Sequence, residues 1–230
     1  MMASTAESRS QATLAPPRGA AISGVVFAIL TIVGLGLVRY AIPADPKTAG
    51  SWLSEPSNTN AVRLSLSVVP FAGIAFLWFI GVLRNRLAEL EDQFFATVFL
   101  ASGLLFVASL FASAAVTSAL VESVAAANMG SPTYYFGRYL SDALLNLFAM
   151  KMAGVFMIST CTIGLRTGII PRWLVFAGYA CALVLLLVIA NWRWITLIFP
   201  IWMLILSTWT LLTELRSGNG RRVGAEPHQA

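Results

Sequence analysis

The sequence predicts an all-α protein: a polytopic transmembrane helical bundle of six spans. Three observations carry that expectation. Apolar residues make up 58 % of the chain and charged residues 11 %, with a mean hydropathy of +0.79. Soluble domains carry about 25 % charged residues, so this chain has too little polar material for a water-facing surface. Its apolar residues also gather into six runs, at about 20–42, 61–83, 94–121, 140–165, 173–190 and 194–212. Each run approaches the ~20 residues a helix needs to cross a bilayer. Finally, the charges fall mostly in the gaps between runs.

Residues 1–18 are rich in Ser, Ala and Pro without apolar periodicity, and read as a disordered cytoplasmic tail. The first run is longer than the ~7–15 residues of a secretory h-region and is followed by Pro43 and Asp45, so an uncleaved first span is expected. The loop after it holds three prolines, Lys47 and Trp52. The second span contains Pro70, which should kink it, and closes on the charged turn Arg84, Arg86, Glu89, Glu91, Asp92. In the third span Ala101, Ala108, Ala112, Ala115 and Ala119 form a stripe. Small residues let backbones approach closely, so this stripe is expected on the packed side of a central helix. Pro171 should open the fifth span. Only Asn191, Trp192 and Arg193 separate that span from the sixth, which predicts a tight antiparallel hairpin. Pro200 should kink the sixth, and residues 214–230 read as a second disordered tail. The domain plan is therefore a tail at 1–18, a six-helix membrane domain at 19–213, and a tail at 214–230.

Six spans put both ends on one side, and arginine chooses which. With the ends inside, nine basic residues are cytoplasmic, against five outside: Arg39, Lys47, Arg63, Arg138 and Arg193. The positive-inside rule then gives a cytoplasmic (inner) cell membrane protein, multi-pass, with both termini cytoplasmic. Trp78, Trp173 and Trp209 fall at the inner interface, and Tyr40, Trp52, Tyr139, Trp192 and Trp194 at the outer one, as amphipathic rings should. The net charge of +5 comes from arginines placed singly or in pairs at span ends, which is no nucleic-acid signal. The bilayer is the partner this composition implies.

Seven polar residues are candidates for function. Lys151 lies ten or more residues from either end of its span, where a lysine costs about 2.5–3.5 kcal/mol on insertion scales. Arg138, Asp142 and Asn146 recur every four residues and share one face of the fourth helix. Lys151 lies half a turn from Asp142, so its partner must come from another span: a carbonyl, water, or a hydroxyl such as Ser67, Ser109 or Ser113. It can serve a solute or proton site, or hold helices together. Arg39, Arg63, Glu122, Arg138 and Asp142 all stand near outer span ends. They form either an outer vestibule attractive to an anion or separate interfacial anchors.

Cys161 and Cys181 both lie in apolar runs and read as packing residues, while the one histidine, His228, is in the tail. GxGxxG, P-loop, HExxH, CxxC and GxSxG motifs are all absent. No enzyme, cofactor or metal is therefore expected. The runs FLWFIGVLRNRLAELEDQFFATVFLASGLLF and AMKMAGVFMISTCTIGLRTGIIPRW resemble those of uncharacterised bacterial six-span integral membrane proteins, over about residues 20–213. The resemblance implies an architecture and carries no functional residue. Two functions remain open. One is a small permease or solute-binding membrane protein that uses Lys151 and the outer polar ring. The other is a non-catalytic accessory protein that binds lipid, a second copy of itself or another membrane protein.

Overall fold

The computed structural model describes residues 17–43, 45, 47–48, 50–87, 93–124, 131–168, 170–187 and 194–223. The described residues are helical, with no strand among them. Helix α1 spans Pro17–Ala41, and a 3-10 turn at Gly50–Ser54 leads into α2, Pro56–Leu87. Helix α3 is Gln93–Val124. Helix α4, Pro132–Asp142, runs through a π-helical segment, Ala143–Ala149, directly into α5, Met150–Thr167. Helix α6 is Arg172–Leu187, and a 3-10 turn at Ile195–Leu197 opens α7, Ile198–Val223.

Among the described residues, five segments are long and apolar enough to cross a membrane: Gly19–Ala41, Pro56–Arg84, Phe94–Ser123, Pro132–Thr167 and Ile195–Leu215. The fifth expected span is a shorter apolar helix, Arg172–Leu187, and the remainder of that run, 188–190, lies outside the described residues. So do residues 1–16 of the tail expected at 1–18, most of the charged turn, Trp192, Arg193 and residues 224–230; Pro17 and Arg18, expected in that tail, begin α1 instead. Helix α7 continues to Val223, past the apolar run that ends near 212.

Helix α1 packs between α2 and α7, while α3 packs on α2, α4 and α5. Helix α6 lies chiefly on α5 and touches α7 sparsely. The turn on which a hairpin of the last two helices was expected falls outside the described residues. Gly178 explains how closely α6 approaches: a Cβ there would collide with Cys161 Sγ and Trp202 Nε1. Both cysteines are free. Helix α5 ends on Gly168, whose φ of 68° is the left-handed conformation that glycine adopts without a Cβ penalty.

The bundle centre is aromatic, with each contributing helix supplying rings. Phe27 packs tilted against Phe76 at 4.5 Å, Phe99 likewise against Phe156 at 4.7 Å, and Phe106 meets Phe199 edge-on at 4.9 Å. All six are buried. Such pairs contribute about 0.5–1.5 kcal/mol beyond burial of area. In lipid that counts for more, because tails and leucines are equally apolar.

The alanine stripe of α3 does not face the bundle. Ala101, Ala108, Ala115 and Ala119 are exposed and Ala112 is half-buried. The packed side instead carries Phe99, Ser102, Gly103, Phe106, Leu110 and Ser113. Nearly every residue of α3 is apolar, so hydrophobicity cannot select a face. Large rings and hydroxyls with partners select it. The aromatic residues fall at two ends: Tyr40, Tyr139 and Trp194 are exposed near the Arg39 end, and Trp78, Trp173 and Trp209 near the opposite end. Trp52, expected at an interface, is buried.

Candidate functional site

The start of α4 organises the Arg39 end. Ser131 takes an extended conformation and its Oγ accepts from the Tyr134 amide, while Pro132 occupies the first turn, where its missing N–H is harmless. That cap fixes Tyr134, which is fully buried. Its hydroxyl accepts from Trp52 Nε1 at 3.0 Å and donates to the Thr48 carbonyl at 3.3 Å. The loop before α2 is thereby held over the end of the bundle. One helical turn further on, Arg138 is 8 % exposed and donates through Nη2 to the Pro43 carbonyl at 3.0 Å.

The next two turns carry Asp142 and Asn146. Asn146 Nδ2 donates to Asp142 Oδ1 at 2.6 Å, and its own Oδ1 accepts from Arg39 Nη2 at 3.1 Å. Arg39 Nη2 also reaches Thr196 Oγ1 at 3.3 Å, so α1, α4 and the start of α7 meet in one polar chain. Asn146 sits in the π segment Ala143–Ala149. A π turn fits an extra residue into the helix and re-aims the side chains around it, which is why such turns gather at functional sites.

Hydroxyls join the helices beneath this chain. Ser113 Oγ donates to the Ser141 carbonyl at 2.9 Å, Thr117 Oγ1 lies 2.7 Å from Ser141 Oγ, and Ser65 Oγ donates to the Gly34 carbonyl at 2.8 Å. These groups border a cavity of about 80 Å³, lined along α1 from Leu30 to Arg39, by Ile42 and Pro43 just after it, and by faces of α2, α3, α4 and the π segment. Arg39, Arg138, Asp142 and Asn146 supply its polar wall, and Leu35, Val38, Leu66, Val69, Leu110 and Leu145 its apolar one. Arg138 Nε and Thr31 Oγ1 are buried polar atoms of lining residues with no partner among the described residues. The phenylalanine layer follows directly, since Phe27 is one turn beyond Thr31 on α1 and Phe76 one turn beyond Ala72 on α2. On its other side lies a second cavity of about 90 Å³, almost wholly apolar, between Ala20, Phe79, Thr160 and Leu206.

The seven expected residues thus separate into three groups. Arg39, Arg138, Asp142 and Asn146 share the cavity. Arg63 and Glu122 do not line it. They form a 3.3 Å ion pair with each other, both side chains being more than half exposed. Lys151 is elsewhere again: Nζ donates to the carbonyls of Leu185 at 2.9 Å and Leu186 at 2.6 Å. Those carbonyls belong to α6, so Lys151 ties α5 to its neighbour α6.

The spacing of charges along single spans does not single out Thr31, Ser65, Thr117, Ser141 or Thr196. A signal exists for three of them: Thr117, Ser141 and Thr196 lie at about the depth of Arg39 or Asp142, whereas Thr31 is eight residues, about 12 Å, deeper than Arg39 on α1. Depth compared across all spans, rather than spacing along one, groups those three with the site. Among the described residues, no three His, Cys, Asp or Glu side chains are grouped to hold a metal ion. No family model, curated protein or solved structure matches this chain.

Proposed function

We propose that the chain is a six-span solute-binding protein of a bacterial cytoplasmic membrane, with its site in the cavity between α1, α2, α3 and α4. Helix α6 serves as the remaining, fifth span of the six: its 16 residues cover about 24 Å at helical rise, most of a ~30 Å core. Both termini then lie on the arginine-rich, cytoplasmic side, and the cavity faces outward. The observation that carries this reading is the cavity itself, in which two arginines, one carboxylate and an amide meet hydroxyls and apolar side chains. Polar groups are costly inside a membrane, and where they converge on a cavity they mark a solute path or site.

The test is thermal unfolding of full-length protein in nanodiscs against small anionic, cationic and neutral solutes. At least one solute should raise the Tm of wild type. Asn146→Leu should lose that response and Lys151→Met should keep it. A panel that shifts wild type and Asn146→Leu equally would overturn the proposal.

A second reading has one observation in its favour. The phenylalanine layer between the two cavities leaves no polar route, which suits a receptor or accessory protein more than a permease. Flux of the stabilising solute into proteoliposomes separates the two.

A further inference from the structure

We infer that the 3-10 turn Gly50–Ser54 is a displaceable gate over this cavity, with Trp52 and Leu53 as its plug and the Tyr134 hydroxyl as its latch. The inference rests on the solute-binding reading above for the purpose of the site, and supplies the entrance to it. Register is the first argument. Trp52 and Leu53 are buried in a small apolar cluster with Val62 of α2, Leu120 and Val121 of α3, and Tyr134 of α4. On each of those three helices the cavity lining starts one turn deeper, at Ser65, Thr117 and Arg138, and at the end of α1 Ile42 belongs to both. The turn therefore stands across the bundle between the cavity and the Arg39 end.

The other ways in are narrower. The phenylalanine layer closes the deep end. Between helices, Ser65 Oγ on the Gly34 carbonyl joins α1 to α2, and Ser113 Oγ on the Ser141 carbonyl joins α3 to α4. The α3–α4 seam is tight enough that a Cβ on Gly137 would collide with Leu120.

The second argument is how the turn is held. Trp52 Nε1 donates to the Tyr134 hydroxyl at 3.0 Å, that hydroxyl donates to the Thr48 carbonyl at 3.3 Å, and Arg138 Nη2 donates to the Pro43 carbonyl at 3.0 Å. These are three side-chain bonds to α4. Inside the turn, the Glu55 amide reaches the Trp52 carbonyl at 3.4 Å, a long bond of the kind short 3-10 segments make. A released tryptophan also has another seat, because its amphipathic ring suits the membrane interface. Closed and open forms thus differ by a few hydrogen bonds and the burial of two side chains, while the helices keep their packing.

The experiment is thiol labelling of the full-length protein in nanodiscs with iodoacetamide, which reaches both faces. All proteins carry Cys161→Ala and Cys181→Ala plus one new thiol: Ser113→Cys in the cavity, Ser57→Cys at the exposed start of α2, or Thr160→Cys in the cavity beyond the phenylalanine layer. When opening is fast, the labelling rate follows the open population. Each tethering bond shifts that population about fivefold, so the Ser113→Cys thiol should react about a hundredfold more slowly than the Ser57→Cys thiol. Tyr134→Phe keeps the ring and removes two tethers, and should speed the Ser113→Cys reaction between fivefold and twenty-five-fold. Trp52→Ala should bring it within tenfold of the exposed rate. Neither variant should change the Ser57→Cys or Thr160→Cys rates. A Ser113→Cys rate that ignores both variants overturns the gate, and faster reaction with a lipid-soluble maleimide then places the entrance between helices. Equal acceleration at Thr160→Cys overturns it too, since the whole bundle has loosened. No solute takes part in these rates, so a failed solute panel leaves a Tyr134-sensitive gate standing, and a bound solute with insensitive rates removes the gate alone.

Discussion

Replacing Lys151 with methionine tests whether a deep charge in this bundle serves chemistry or holds two helices together. The substitution keeps the length and apolar stem of the side chain and removes the ammonium that serves the Leu185 and Leu186 carbonyls at 2.9 and 2.6 Å. A hydrogen bond to a charged group contributes about 1.5–3 kcal/mol, so the two together represent about 3–6 kcal/mol. Against this, methionine avoids the cost of about 2.5–3.5 kcal/mol for placing a lysine at that depth. Lys151 is half-buried, which screens the bonds and favours the lower part of their range. The net expectation is a destabilisation of about 1–2 kcal/mol. Reversible unfolding in mixed micelles measures it. Hydrogen exchange locates it, since amides around Leu185 and Leu186 should exchange about tenfold faster. Lys151→Gln, which keeps a neutral donor, should recover part of the loss. A Lys151→Met protein as stable as wild type, with unchanged exchange in α6, would refute the helix-joining role.

Three further outcomes follow from the geometry. Trp52→Phe removes the 3.0 Å donor to the Tyr134 hydroxyl and should cost about 1 kcal/mol, read as a lowered unfolding midpoint, with the loop before α2 becoming more open to proteolysis. Arg63→Gln breaks an ion pair whose partners are mostly exposed, so stability should change by less than ~1 kcal/mol. The same variant should leave solute binding at its wild-type value, because Arg63 does not line the cavity. Gly103→Leu would drive a side chain into Ile80 and Phe156 at the phenylalanine layer, where a Cβ alone would stand 2.5 Å from Ile80 Cδ1. It should destabilise by about 1–3 kcal/mol, seen as a loss of folded protein in detergent.

Part of the site is legible in the amino-acid sequence. Arg138, Asp142 and Asn146 are four residues apart, and helical periodicity alone groups them, because a helix repeats every 3.6 residues. The separation of Arg63 and Glu122 from the cavity is not legible there. Every charge near a span end has the same sequence signature, whether it faces a cavity, a neighbour or lipid. The alanine stripe of α3 misleads for a related reason. Small residues permit close packing without compelling it, and the buried side goes to Phe99, Phe106 and Ser113, which have rings and a carbonyl to meet. The π segment is also out of reach, since one extra residue in a turn leaves no mark in an apolar sequence such as Ala143–Ala149.

By itself the sequence determined that the chain is helical and built for a bilayer, because an apolar run in lipid must satisfy its backbone internally and only a helix does so within one segment. It also determined where charge would be costly, and so drew attention to Lys151. Tertiary structure decided what those charges do. The lysine meets carbonyls of a helix 34 residues away in sequence, and Arg39 meets Asn146 at a separation of 107. Such pairings depend on how helices rotate and slide against one another. In hydrocarbon that choice is made by ring packing and hydrogen bonds between spans, which hydropathy along a single chain does not record.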